Sequence, residues 1–143
     1  MNYDNYKLKI AEDKDIVFKH LKQHFITKFN LYMFALSLGV RMKKRTKIEK
    51  NAEPILITYF GENHKKFMDI VVLNETKNLD SLDMSDEMKV KEYFLIIEEY
   101  TNTGLEQIKE IISEHLENSF ELLSYEFDIL LENDIPEELK EAL

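Results

Sequence analysis

Apolar residues recur at spacings of three and four through most of the second half of this 143-residue chain. After Ser85 the stripe consists of Val90, Tyr93, Phe94, Ile97 and Tyr100. A second run keeps the same spacing at Leu105, Ile108, Ile112, Leu116, Phe120, Leu123 and Phe127 and ends with Leu130 or Leu131. Such spacing is typical of amphipathic α-helices that pack along one face. The chain is therefore predicted to be mainly α-helical.

The stripe pauses at the polar sequence Thr101-Asn102-Thr103-Gly104. Thr103 with Glu106 three residues later has the form of a capping box, which predicts that a new helix begins there. Residues 103–132 then form either one long helix or two helices with a break near Asn118, because Asn118 and Ser119 are both good caps. The pattern leaves both alternatives open.

Phe29–Val40 (FNLYMFALSLGV) is apolar on nearly every side. This composition indicates a helix that is buried in most directions. Gly39 stands near the end of the segment, where a glycine commonly adopts the left-handed conformation that terminates a helix. We therefore expect the helix to end at Gly39.

Weaker patterns complete the fold prediction. A helix is predicted from Asp13, with Ile16, Val17, Leu21 and Phe25 on one face, and another over His64–Thr76. The β-branched and aromatic residues of Ile55–Phe60 predict a strand that pairs with Tyr6–Ile10. The expected fold is a single domain over residues 1–143, a compact bundle of five to seven helices with a minor two-stranded β element.

Catalytic and cofactor-binding motifs are not evident in the sequence. The chain has no Cys, and its three glycines, Gly39, Gly61 and Gly104, lie too far apart for a phosphate-binding loop. His20 and His24 share a helix face, but Leu21 stands where a zincin has Glu. We expect a protein that is not an enzyme and holds no metal or other cofactor.

Charge is strongly segregated along the chain, whose net charge is −9. Residues 1–73 hold 14 Lys/Arg and 8 Asp/Glu, whereas residues 74–143 hold 5 and 20. Six cations fall within ten residues, the basic segment Arg41–Lys50, and they are Arg41, Lys43, Lys44, Arg45, Lys47 and Lys50. Clustered cations can displace the counterions of nucleic acid phosphates. The alternative is that the segment is solvated or is neutralised by the chain's own acidic half.

The acidic half carries a row of glutamates at residues 106, 110, 114, 117 and 121. The row is either an ordinary solvated helix face or an electrostatic docking surface. Beside it lies the apolar stripe that we expect to bind a protein partner, Leu105, Ile108, Ile112, Leu116, Phe120, Leu123 and Phe127. A second copy of the chain is one such partner.

The sequence contains no recognisable targeting or membrane signal. No run of 18 apolar residues predicts a membrane-spanning helix. The first residues, MNYDNYKLKIAEDKD, lack the basic start and apolar stretch of a secretory signal. We therefore expect a cytoplasmic protein without a membrane partner.

Several short motifs resemble one family of small bacterial proteins. They are Phe29–Gly39, the basic segment, Asn51–Ile55 (NAEPI) and Ile97–Leu105 (IEEYTNTGL). Together they are similar to the Dnd system-associated proteins, which are encoded near genes for DNA phosphorothioation and restriction. The family motif reads nearer to E-Y-A-N-G-G-L, so Thr101 and Thr103 stand where it has smaller residues. The resemblance implies a phage-defence context and carries over no catalytic residue.

Two functional hypotheses follow from these observations. The first is a non-catalytic accessory protein of a DNA-modification or phage-defence system. It would bind the backbone of duplex DNA, without reading sequence, through the basic segment, and a protein partner through its acidic C-terminal helices. The second is a protein–protein adaptor or oligomerisation module that makes no contact with DNA.

Overall fold

The computed structural model describes residues 5–21 and 27–114, in which four α-helices accompany a small antiparallel sheet. The elements are β1 (Lys7–Leu8), α1 (Asp15–Leu21), α2 (Lys28–Met42), β2 (Ile55–Leu56), α3 (Glu62–Thr76) and α4 (Glu87–Glu114). Three short 3₁₀ helices lie at Glu12–Lys14, Ile57–Tyr59 and Leu79–Leu82. The prediction of a mainly helical fold with a minor two-stranded element is confirmed. The described part holds fewer α-helices than the five to seven expected.

Helix α4 is the longest element and lies at the centre of the described structure. Most of its predicted stripe is buried, including Val90, Phe94 and Ile97, whereas Tyr100 is half-buried. The predicted break at Thr101–Gly104 is wrong, because α4 continues through it without interruption. The hydroxyl of Thr101 donates back to the Ile97 carbonyl at 2.8 Å, so this polar residue is satisfied inside the helix. Whether the helix continues beyond residue 114 lies outside the described residues.

Helix α2 packs against α4 at unusually short range. An ideal Cβ built on Gly39 would lie 1.8 Å from the Tyr100 carbonyl oxygen, and one built on Gly104 would lie 1.8 Å from the Ala35 carbonyl oxygen. The two helix backbones are therefore in direct contact at this crossing. The expectation that Gly39 ends the helix is wrong, since α2 continues to Met42 and ends with Lys43 in the left-handed conformation. Gly39 is present because the crossing leaves no room for a side chain.

The apolar character of α2 reflects burial in the core, which was predicted for most sides of this helix. Nine consecutive residues, Leu31 to Gly39, are buried. A helix can be buried over more than two turns only when other elements cover all of its faces. The helix begins where Thr27 accepts a hydrogen bond from the Asn30 amide at 3.2 Å, an N-cap that satisfies one of the free amides of the first turn.

The predicted strand pair is confirmed in shorter form. Lys7 pairs with Leu56 and Leu8 with Ile55 in an antiparallel register. Pairing extends to a bridge between Ala11 and Asn51, so the N-terminal segment runs beside the end of the basic segment. Leu8 is buried, whereas Lys7 is exposed, as expected for a strand with one face on the core.

Helix α1 follows the predicted helical pattern only in part. Val17 and Leu21 are buried, but Ile16 is 58% exposed, so its assignment to the buried face is wrong. Phe25 lies outside the described residues. Predicted helix His64–Thr76 is confirmed as α3, which begins two residues earlier at Glu62.

We predict that Gly104→Ala lowers the free energy of unfolding by about 2 kcal/mol or more. The added methyl group would overlap the α2 backbone, and overpacking of this kind outweighs the gain of about 1 kcal/mol in helix propensity. Denaturant unfolding followed by circular dichroism measures the change. Gly61→Ala is the control, since a Cβ there meets nothing within 4 Å. A Gly104→Ala variant as stable as the wild type would contradict the crossing geometry.

Candidate nucleic-acid interface

The basic segment leaves helix α2 at its C-terminal end and crosses to the sheet. Lys43 is the left-handed C-cap of α2, and its amide donates to the Val40 carbonyl at 3.0 Å. The residues that follow adopt neither helix nor strand before the bridge at Asn51. Exposed positions in the segment include four of its six cations, Lys43, Lys44, Lys47 and Lys50. Among the ion pairs of the described residues, none involves these four lysines.

Arg45 differs from these lysines because it is paired within the chain. Its guanidinium donates to Glu99 on α4, with Nη2 at 2.7 Å and Nε at 2.9 Å, and Nη1 lies 3.1 Å from Glu75 on α3. The Tyr100 hydroxyl donates a hydrogen bond to the same Glu75. This bond, together with Arg45, holds the pKa of Glu75 below its usual value. For Arg45 the structure therefore shows the alternative considered for the basic segment, neutralisation by the chain's own acidic half, and DNA contact by this residue stays an untested prediction.

Arg41 also lies in a different environment from the lysines. It belongs to the last turn of α2 and is half-buried. A basic residue at this end of a helix complements the partial negative charge of the terminal carbonyls. The structure thus separates the six predicted DNA-binding residues into four exposed lysines and two less accessible arginines.

Helix α4 holds the backbone in the middle of the basic segment. The side-chain amide of Asn102 donates to the carbonyls of Thr46 and Lys47 at 3.1 and 3.3 Å. The Thr46 amide donates to the Glu99 carbonyl at 3.1 Å, and the hydroxyls of Thr46 and Thr103 are 2.8 Å apart. From the sequence, Thr101-Asn102-Thr103 was predicted to separate two helices, with Thr103 as a helix cap. Its structural role is to fasten the basic segment to α4.

The structure describes only part of the predicted partner-binding stripe. Leu105, Ile108 and Ile112 belong to the buried core of this chain, so a partner would not reach their side chains in this arrangement. The other four residues lie outside the described part of the chain and are Leu116, Phe120, Leu123 and Phe127. Partner binding by that remaining part of the stripe stays a prediction.

The glutamates of the row differ in their environments. Glu106 pairs with the buried Lys14, whose Nζ lies 2.7 Å away, and so connects the 3₁₀ helix that precedes α1 to α4. Glu110 is exposed. Of the paired histidines, His20 is half-buried on α1, whereas His24 lies outside the described residues. In residues 5–21 and 27–114 no group of three or more His, Asp or Glu side chains is placed to hold a metal ion.

Glu98 is a buried carboxylate that sequence reasoning missed. It is 2% exposed, accepts a hydrogen bond from the Lys9 amide at 2.6 Å, and lies 3.5 Å from the Tyr6 hydroxyl. Burial raises its pKa to about 7 despite these donors. Its position was a usable signal, because Glu98 lies four residues after Phe94 and seven before Leu105, on the apolar stripe itself. This carboxylate joins the N-terminal segment to α4.

We predict that Glu98→Gln removes a pH-dependent loss of stability. A raised pKa means that the folded state holds this proton more tightly than the unfolded state, so stability falls as pH rises from about 4.5 through about 7. Gln keeps an acceptor for the Lys9 amide but cannot ionise. As pH rises from about 5 to about 8, the unfolding free energy of the wild type should fall by about 2 kcal/mol relative to that of Glu98→Gln.

Urea unfolding across this pH range measures the effect. The groups that act on Glu98 are Lys9 and Tyr6 from the N-terminal segment, Tyr32 from α2, and its neighbour Glu99. Glu110→Gln, an exposed change on the same helix, serves as the control. Parallel pH profiles for wild type and Glu98→Gln would show that the buried carboxylate does not titrate as described.

Comparisons with other proteins place the chain in one family. No curated protein and no solved structure matches it. No helix in the described ranges combines the length and apolar character needed to cross a membrane. The family model of DNA sulphur modification system-associated protein 4 matches residues 7–138, and the resemblance to Dnd-associated proteins is thereby confirmed. The chain therefore belongs to the family of DNA sulphur modification system-associated protein 4.

Proposed function

We propose that this protein is a non-catalytic accessory component of a DNA sulphur modification system and binds the backbone of duplex DNA. The family description supports the accessory role within such a system. The observation that carries DNA binding is the set of four exposed lysines in one short segment, Lys43, Lys44, Lys47 and Lys50. Cations in this arrangement can contact successive phosphates without reading base edges.

Lysine chemistry favours backbone contact over sequence recognition. An ammonium group is a compact point charge that suits phosphate, whereas the planar groups of Arg, Asn and Gln are better suited to bidentate contacts with base edges in the major groove. Four phosphate contacts give a slope of about −3.6 for log affinity against log salt concentration. The affinity should therefore fall about a hundredfold between 50 and 200 mM salt.

The acidic half of the chain supports a second contact, with a protein. Residues 74–143 carry 20 acidic and 5 basic residues, so this half repels DNA and attracts a cationic surface. A partner subunit of the same modification system meets this requirement, and the contact would include the C-terminal acidic residues. The alternative is an adaptor or oligomerisation module that uses only this half and makes no DNA contact.

We predict that the double variant Lys43→Glu/Lys44→Glu loses at least tenfold in affinity for duplex DNA and that its salt slope falls by about 1.8 in magnitude. Fluorescence anisotropy with a labelled 20-base-pair duplex, at several salt concentrations, measures both quantities. Lys43 and Lys44 are exposed, so folding should be unaffected.

Lys66→Glu/Lys77→Glu is the matched control for this variant. Both residues are exposed and belong to α3 or its end, and Lys77 caps α3 in the same left-handed conformation with which Lys43 caps α2. The control changes the net charge equally and should bind nearly as well as the wild type. An equal loss of affinity in both variants would show that only the net charge matters, which contradicts a binding site in the basic segment. If the wild type does not bind DNA at 50 mM salt, the adaptor alternative is favoured.

A further inference from the structure

Arg45 sits at the centre of the basic segment but has a different environment from the lysines around it. Its side chain is 30% exposed, and three of its nitrogens donate to carboxylates of two different helices. These carboxylates occupy an N–H donor on each of the three nitrogens, and their negative charge disfavours a phosphate beside this guanidinium. We propose that Arg45, held between Glu75 and Glu99, positions the basic segment for DNA and does not itself contact phosphate.

The carboxylate cluster around Arg45 is itself fixed in place. Glu99 is in the middle of α4, and Glu75 accepts a hydrogen bond from Tyr100, the next residue of the same helix. Arg45 therefore connects the basic segment to α3 and α4 at once. A planar guanidinium can serve two carboxylates in this way, whereas a single ammonium cannot reproduce the fork geometry.

The backbone next to Arg45 is held as firmly as its side chain. The Thr46 amide donates to the main-chain carbonyl of Glu99, and the Asn102 side-chain amide donates to the carbonyls of Thr46 and Lys47. At the two ends, the Lys43 amide donates to Val40 and the Lys50 carbonyl accepts from the Glu12 amide at 2.7 Å. Lys43, Lys47 and Lys50 thus have backbones bound to neighbouring elements and side chains exposed to solvent.

This arrangement gives the segment its binding shape before DNA arrives. When only a fraction of molecules holds the competent shape, the apparent dissociation constant rises by the reciprocal of that fraction. A positioning residue therefore changes affinity without changing the number of phosphates contacted. The inference rests on the proposed DNA-binding function for its affinity readout, and a second readout is independent of DNA.

The affinity test uses Arg45→Lys, Glu99→Gln and Lys44→Gln in the same anisotropy assay. Arg45→Lys keeps the charge but loses the fork, so we expect about fivefold weaker binding with an unchanged salt slope. Lys44→Gln should instead reduce the slope by about 0.9 in magnitude. Glu99→Gln removes a negative charge beside the segment, so electrostatics alone predicts tighter binding, whereas positioning predicts weaker binding. Glu110→Gln, an exposed change on α4, is its charge-matched control.

The independent test measures amide hydrogen exchange of Thr46 in the protein without DNA. We expect about tenfold faster exchange in Arg45→Lys and Glu99→Gln, and wild-type exchange in Lys44→Gln. Glu75→Gln supplies a second cluster variant should Glu99→Gln fail to fold, which circular dichroism reports. Faster exchange with no DNA binding by the wild type would support positioning and overturn the proposed function. Unchanged exchange, or tighter DNA binding by Glu99→Gln, would overturn the positioning role.

Discussion

The backbone contact between α2 and α4 is the constraint on which the described structure depends. Gly39 faces the Tyr100 carbonyl and Gly104 faces the Ala35 carbonyl, and neither site has space for a methyl group. Because the two helices approach this closely, the side chains next to the crossing can contact the segments that pack around both helices. The crossing therefore decides where the N-terminal segment and the basic segment can attach.

The polar residues just before Gly104 form hydrogen bonds with several different segments packed around α4. Glu98 accepts a hydrogen bond from the Lys9 amide, and Glu99 accepts one from the Arg45 guanidinium. The Asn102 side chain donates to carbonyls of the basic segment. Polar groups of this kind are tolerated inside a protein because each finds a partner that water would otherwise supply. One stretch of a single helix thus connects the short sheet, α3 and the basic segment. A shift of α4 along α2 would disturb all these contacts together.

Hydrophobic periodicity predicted the elements that local residues determine, and it failed where distant residues decide. The amphipathic α3 and the first half of α4 follow from the spacing of apolar residues, and the buried α2 follows from its nearly continuous apolar sequence. Gly39 and Thr103-Gly104 have the local signatures of helix ends but lie within helices. The two glycines allow the close helix crossing, and the Thr103 hydroxyl donates to the Glu99 carbonyl of its own helix. Counting cations also could not separate Arg45 from the lysines, because its carboxylate partners lie 30 and 54 positions away.

The same ion pairs explain how a chain of net charge −9 can present a cationic surface. Charges farther than about 8 Å are largely screened at physiological ionic strength, so a polyanion responds to the local charge rather than the total. Glu75 and Glu99 are the carboxylates closest to Arg45, and its guanidinium partly compensates their charge. Without it, two anionic groups would lie uncompensated beside the four exposed lysines. By binding these carboxylates, Arg45 offsets negative charge that would otherwise act on the exposed lysines.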